Sequence, residues 1–225
     1  MTAVPARQLV GEAPPRRAVR RPPRRKRALD LVLTAPALAL LSPLLAVASA
    51  LVRATSRGPC FFRQERIGWR GRPFVVLKFR TMVVNDDDSA LREAVRLELA
   101  GQRAEEDGSF KVHRDPRITR VGHWLRRTSI DELPQLLNVV RGEMSLVGPR
   151  PALAWEAELF PPEYRRRTDV LPGITGLWQV RGRSRLSTPD MLRLDVEYVD
   201  TWSLRQDLSI LLHTIPVVLR GDGAR

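Results

Sequence analysis

The chain of 225 residues has a single cysteine, Cys60, so no disulfide can form within it, and a lone thiol fits a reducing compartment. Its three histidines, His113, His123 and His213, are too far apart in sequence to show the spacing of a zinc site. No segment repeats. Acidic residues are nearly missing from the start: residues 1–27 carry nine basic residues and one acid, Glu12, so about +8 of the formal +13 sits there. The remainder is only mildly basic. Rich in Pro, Ala and Arg and without hydrophobic periodicity, residues 1–25 are expected to form a disordered basic tail. What is present is a 43% hydrophobic content with five tryptophans, enough for the core of one ordinary domain. A basic chain usually meets nucleic acid or an anionic membrane. Composition by itself leans slightly toward nucleic acid, and the next segment reverses that.

Charge is also missing from residues 31–52, about 22 positions, long enough to cross a bilayer as a straight helix. Three readings compete. A basic flank, an apolar stretch and Ala48-Ser49-Ala50 have the form of a signal peptide, which would make a secreted protein cleaved after Ala50. The same run is long enough for a spanning anchor. It is also suited to a re-entrant helix that enters the membrane, bends and leaves on the same side. Pro43 lacks an N–H and clashes with the preceding turn, so a kink is expected there, and Ser42 can hydrogen-bond a carbonyl freed by it. Both flanks are positive, with Arg24, Arg25, Lys26 and Arg27 before and Arg53 and Arg57 after, which pulls both ends toward the cytoplasm. The re-entrant reading is favoured over the spanning one.

Beyond this run, residues 60–67 and 73–80 read as the arms of a hairpin around a turn at 68–71. The acidic cluster at 85–88 reads as the N-cap of a charged helix over 89–104, in preference to a metal site. Leu91, Val95 and Leu99 give that helix a narrow apolar stripe. Residues 105–113 read as a loop. Further helices are expected at 120–127, from Asp131 to a stop at Gly142, at 152–160, at 189–202 and at 204–219. Residues 171–183 read as a Gly-rich strand and loop. The last helix has a broad apolar face, Leu204, Leu208, Leu211, Leu212 and Ile215, suited equally to core packing and to interfacial contact with a membrane.

The chemistry concentrates at residues 127–151. Two adjacent carboxylates, Asp131 and Glu132, lie between Arg126 and Arg127 on one side and Arg150 on the other. An anionic nucleophile beside phosphate-binding arginines is what phosphoryl-group transfer needs. There is a plainer reading: Ser129-x-x-Glu132 is a capping box, and acids in a helix's first turn offset its dipole. The pair alone favours the cap.

The wider pattern reverses that. FFRQER at 61–66 with Gly68, KFRTM at 78–82, DELPQL at 131–136, GPRP at 148–151, and PGITG at 172–176 with Gln179, Gly182 and Arg183 stand in one order behind an Ser42-Pro43 apolar helix. In that order they resemble the bacterial sugar transferases, the monotopic phosphoglycosyl transferases, over about residues 27–220. The chain is similar to the catalytic unit of that family with a basic tail in front, without the several spanning helices of longer members. The resemblance implies transfer of a sugar 1-phosphate from a UDP-sugar to polyprenyl phosphate on the cytoplasmic face of a bacterial inner membrane. It implies Asp131 as the nucleophile that forms an aspartyl phospho-sugar and releases UMP. Glu132, with Asp131, would hold Mg²⁺, since a hard cation that keeps its waters needs one or two carboxylates. Arg127 favours the ionised form of Asp131, as does a helix N-terminus.

The remaining candidates each carry a plain alternative. Arg150 can bind phosphate bidentately or form a structural ion pair. Lys78 and Arg80 can bind the lipid phosphate or the nucleotide, or keep an edge strand soluble. Gln179 and Arg183 are candidates for the uridine or sugar end, or for a simple turn. Trp178 and Trp202 read as core or interfacial residues rather than sugar platforms. The expected fold class is α/β and membrane-associated, with a re-entrant N-terminal helix, a small β-hairpin or sheet and several amphipathic helices. It divides into a tail at 1–25, a membrane helix at 26–57 and a cytoplasmic catalytic domain at 58–225. UDP-sugar, polyprenyl phosphate and anionic membrane lipid are the expected partners. Nucleic acid is not, and a homodimer is left open. The rival from another class is a basic, membrane-tethered scaffold or nucleic-acid-binding protein whose acid pair only caps a helix. The sugar leans toward glucose or galactose on the GLWQVxGR form at 176–183.

Overall fold

A long apolar helix stands on a mostly helical body that holds two small, unclosed sheets. The computed structural model describes residues 23–82, 89–101, 117–182 and 186–219. The basic tail up to residue 22, the acidic cluster at 85–88, the loop at 105–113 and Arg183 lie outside the described residues.

Helix α1 is Arg24–Thr55, 32 residues, and it is long and apolar enough to cross a membrane. Its most apolar window has a mean hydropathy of 2.2 and is 11% buried. The expected kink does not break it: α1 runs on through both Pro36 and Pro43. Pro43 has no N–H to give the carbonyl of Ala39, and the Ser42 hydroxyl donates to that oxygen at 2.8 Å instead. The local substitution that the sequence suggested is therefore present, within a continuous helix.

Both ends of α1 pack on the body, and the middle does not. At the first end Lys26 Nζ donates to Val147 O (3.0 Å), Tyr198 Oη (3.2 Å) and Asp207 Oδ2 (2.8 Å). Trp202 Nε1 and Tyr198 Oη also donate to Asp207. One turn on, Asp30 Oδ1 accepts from Ser145 Oγ and from the Leu146 N–H. At the other end Ala48 and Val52 pack with Phe79 and Leu125. Between them Leu40 is 81% exposed.

Strands β1 (Phe61–Ile67) and β2 (Pro73–Phe79) form the expected antiparallel hairpin, in register from Phe61 opposite Phe79 to Ile67 opposite Pro73. Its turn needs left-handed backbone at Arg70 (φ 60°) and Gly71 (φ 71°). Helix α2 (Ser89–Leu99) is shorter than expected, and α3 (Arg120–Arg127) has the expected bounds with Thr119 as its cap. The acid pair leads into α4 (Gln135–Arg141), which stops at Gly142 with φ 80°. Strand β3 (Ser145–Val147) then pairs in parallel with β4 (Gly173–Thr175). Helix α5 is Ala154–Leu159. The segment after β4, expected as loop, is a short helix α6 (Leu177–Arg181). Helices α7 (Thr188–Thr201) and α8 (Leu204–Leu219) follow as expected.

The body has no single large core. Small apolar clusters sit at its joints, such as Val76, Val139 and Met144 between β2 and α4, and Val147, Leu177, Tyr198 and Ile210 between β3 and helices α6 to α8. Beyond β3 the backbones come very close: a Cβ on Gly173 would lie 2.1 Å from Gly148 N. That contact sets the 148–151 loop against β4.

Breaking a buried ion pair by removing one partner costs about 3–5 kcal/mol, because the other charge is left unpaired in the interior. Lys26 and Asp207 are 4% and 1% exposed. Lys26→Met should therefore lower the melting temperature in detergent or lipid far more than Arg53→Met, at the other end of the helix. Equal losses would remove the buried pair as the stronger attachment.

Candidate active site

Asp131 and Glu132 lie in a single 3₁₀ turn, Ile130–Glu132, ahead of α4. Ser129 enters it with φ 57° in the left-handed region and makes no capping hydrogen bond. The expected capping box is thus not formed. The first residue of α4 is Gln135, preceded by Pro134, so the acids precede the α-helix and do not sit in its first turn. The capping explanation of the pair falls away, although Leu133 and Pro134 are right-handed helical and the acids still stand in the turn that opens this helical segment.

Two cations from distant parts of the chain meet at Glu132. Lys78 projects from β2 and donates to Glu132 Oε1 at 2.8 Å. Arg150 Nη1 lies 3.6 Å from the same oxygen. The loop carrying Arg150 is clamped by two other arginines. Arg167 Nη2 donates to the Arg150 carbonyl at 2.6 Å while its guanidinium pairs with buried Asp195. Arg66 Nη1 donates to the Pro151 carbonyl at 3.0 Å and Nη2 to Gln64 Oε1 at 2.7 Å. Ile67 N–H closes the joint on Ala152 O at 2.8 Å.

These contacts divide the two acids. Burial works against the ionised form of Glu132, but Lys78 and Arg150 outweigh it and hold its pKa down to about 2. Burial pushes Asp131 up, the Glu132 charge adds to that, and Lys78, Arg126 and Arg150 only partly oppose, leaving it at about 6. Burial also lowers the pKa of Lys78, against the pull of Glu132. At pH 7 both acids are then largely in the ionised form that a carboxylate nucleophile needs.

The expected residues do not all gather here. Lys78, Arg150, Asp131 and Glu132 come together. Arg126, and not the exposed Arg127, is the α3 arginine that acts on Asp131. Arg80 is buried elsewhere: its guanidinium donates to the carbonyls of Ser56 and Arg57 and to Ser56 Oγ, and holds the end of α1. Gln179 Nε2 donates to Ile174 O at 3.2 Å across the β4–α6 turn, while its Oε1 is buried without a partner. Trp202 belongs to the Lys26–Asp207 network, and Arg25 stacks over its ring. Arg66 was visible within FFRQER but not as a clamp. Arg167 and Asp195, 28 residues apart, carry no local signal that pairs them.

Among the described residues no three His, Cys, Asp or Glu side chains form a metal cluster. Two neighbouring carboxylates are nevertheless a donor set that fits Mg²⁺, which keeps most of its waters and takes substrate phosphate oxygens as further ligands.

The folded-state pKa of Asp131 is above its ordinary 3.8. The folded state therefore binds this proton more tightly. The resulting stability is fully present below about 3.8 and is lost as pH rises through about 6. Asp131→Asn should melt at or above the wild-type temperature at pH 7.5, with the difference shrinking toward pH 4. A variant that is less stable at pH 7.5 would mean that the carboxylate supports the fold.

A family profile described as bacterial sugar transferase matches residues 22–221. The chain is 48% identical over 199 residues to a UDP-galactose-lipid carrier transferase of Erwinia amylovora, covering 88% of this chain and 41% of that protein. It is 44% identical over 208 residues to a UDP-glucose:undecaprenyl-phosphate glucose-1-phosphate transferase of Caulobacter vibrioides, covering 89% of this chain and 72% of the relative. It is 43% identical over 199 residues to the exopolysaccharide production protein ExoY of Rhizobium meliloti, covering 88% and 87%. The chain thus spans about two fifths of the Erwinia protein and most of the other two.

Proposed function

The chain belongs to the bacterial sugar transferase family, and on that premise we propose that it moves a sugar 1-phosphate from a UDP-hexose to polyprenyl phosphate, starting a lipid-linked glycan such as an exopolysaccharide. The relatives' names supply the two substrates: UDP-galactose or UDP-glucose as donor, undecaprenyl phosphate as acceptor. The observation that carries the reading is the division of labour between the acids. Glu132 takes the ion pairs with Lys78 and Arg150, and among the described residues Asp131 has no ion pair of its own.

Asp131 attacks the β-phosphorus of the donor. The bond from that phosphorus to the bridging oxygen breaks, UMP leaves with the electron pair, and the sugar phosphate stays on the carboxylate as an acyl phosphate. An oxygen of polyprenyl phosphate then attacks the same phosphorus and returns Asp131 as a free carboxylate. Two displacements let a water-soluble donor and a lipid acceptor use the site in turn. Lys78, Arg126 and Arg150 supply positive charge where phosphate oxygens gather. Glu132 with Asp131 would hold Mg²⁺, which contributes charge neutralisation at the diphosphate when bound. Arg80 and Gln179 act by holding the end of α1 and the β4–α6 turn.

The membrane arrangement is part of the same proposal. Contacts of both ends of α1 with one body support a helix whose ends lie on the same side of the membrane. A helix crossing fully would carry one end away from the body. The apolar face of α8 adds to this, with Leu208, Leu212 and Ile215 exposed by 47%, 66% and 57%. The basic flanks favour the cytoplasm for that side.

Purified protein given a UDP-hexose should release UMP in a burst before any lipid is added, and Asp131→Asn should reduce that release at least about 10³-fold. Wild-type UMP release by a folded Asp131→Asn would falsify the assignment. The rate should fall on the acid side with a midpoint near pH 6, as Asp131 takes up its proton. Arg126→Gln removes a charge that favours the anion, so it should move that midpoint upward. An unmoved or lower midpoint assigns the limb to another group.

Topology is checked separately. In a Cys60→Ser background, Ala18→Cys and Thr55→Cys should react with a membrane-impermeant reagent from the same side of sealed vesicles. Pro43→Ala, which restores a backbone donor, should shift part of the population toward opposite sides.

A further inference from the structure

We propose that the cleft beneath α2 holds the nucleobase of the donor, so that the hexose lies outside it. The inference rests on the UDP-hexose reading above. The cleft has a volume of about 230 Å³ and lies among α2, α5, α6, α7 and the 150–152 loop. That is below the roughly 300–1,000 Å³ typical of drug-sized ligand sites, room for one ring and not for a whole nucleotide sugar. Arg150 lines it and also reaches to 3.6 Å from Glu132 Oε1, beside the proposed nucleophile. A diphosphate held by Arg150 between Asp131 and the cleft puts one end of the donor in the cleft and the other away from it.

The lining chemistry decides which end. Val95, Phe160, Trp178, Met191 and Leu192 give it apolar walls. Its polar groups are largely engaged already. Arg167 and Asp195 pair with each other, the Thr188 hydroxyl donates to Glu98 at 2.6 Å, and Glu156 Oε2 accepts the Leu153 N–H at 2.6 Å. A hexose would bring several hydroxyls, each needing a partner, into walls that offer few. A uracil brings a flat face and a short polar edge. A half-buried tryptophan is a suitable stacking partner for such a face, and the stacking is tolerant of geometry. Trp178 is thus a binding residue rather than the core or interfacial residue that the sequence suggested. The hexose, on the far side of the β-phosphorus, is selected outside this cleft.

The first arm uses the wild-type enzyme and needs no turnover. Saturation-transfer NMR with UDP-glucose should give its strongest signals at uracil H5 and H6. Strongest signals on the glucose ring would overturn the assignment. The second arm uses Trp178→Leu, which removes the stacking face, and Met191→Phe, which fills the cleft, each checked for folding by circular dichroism. Both should raise the KM for UDP-glucose and UDP-galactose by the same factor, about 10-fold or more, and weaken inhibition by UMP in parallel. A changed glucose-to-galactose ratio with unchanged UMP inhibition would put the hexose in the cleft instead. If the wild-type protein shows uracil contacts but forms no UMP from any UDP-hexose, the transferase reading fails and the nucleobase site stands. If UMP forms and the uracil signals are weak, the transferase reading stands and the nucleobase site fails.

Discussion

A carboxylate drawn partly out of water is best stabilised by nearby cations, and the site takes shape around the way that constraint is met at Glu132, whose side chain is 25% exposed. Lys78 and Arg150 come from distant parts of the chain to satisfy it. Having done so, they are only partly available to the neighbour. Asp131 meets the same loss of water plus the charge of Glu132, and its pKa rises to about 6. Two residues of similar chemistry, joined by one peptide bond, thereby acquire different protonation behaviour. The permanent anion organises the cations, and Asp131 is left without an ion pair among the described residues.

That arrangement requires Arg150 to be held in place, and the fold holds it by its backbone. Arg167 and Arg66 donate to consecutive carbonyls of the loop, at residues 150 and 151, leaving the Arg150 guanidinium to face Glu132. Each clamp is itself secured: Arg167 by the buried Asp195, Arg66 by Gln64 on its own strand. The close approach of Gly148 and Gly173 sets the loop's starting point. Strand β3, which leads into that loop, also receives the contacts from Lys26 and Asp30 at the base of α1. The long apolar helix and the loop of Arg150 therefore share one strand. That fixes the position of Asp131 and Glu132 relative to the helix.

Much of this was legible in the chain. The hairpin, α3, α7 and α8 follow from alternation, 3.6-residue periodicity and turn residues, all of which act over a few neighbours. The Ser42–Pro43 pair announced its own hydrogen-bond substitution, since a proline's missing donor and a preceding hydroxyl are local facts. The family was legible too, because its motifs are ordered along the sequence. Two local expectations were not met, for related reasons. The capping box satisfied its spacing rule but not its geometry, because Ser129 is turned into the left-handed region. Arg127 was chosen over Arg126, although only one of two adjacent helical residues can face a given neighbour.

The sequence by itself determined the composition of the site and a helix long and apolar enough to cross a membrane. An uncharged run with basic flanks, an acid pair and a set of arginines are properties of the covalent chain. Tertiary structure decided which of those groups meet. It turned Arg80 to the end of α1 and Lys78, two residues earlier on the same strand, toward Glu132. It paired Arg167 with Asp195 and enclosed the cleft beside Trp178. It also separated the two carboxylates in acidity. Desolvation and Coulomb attraction depend on distances through space between segments remote in sequence, and those distances exist only once the chain has folded.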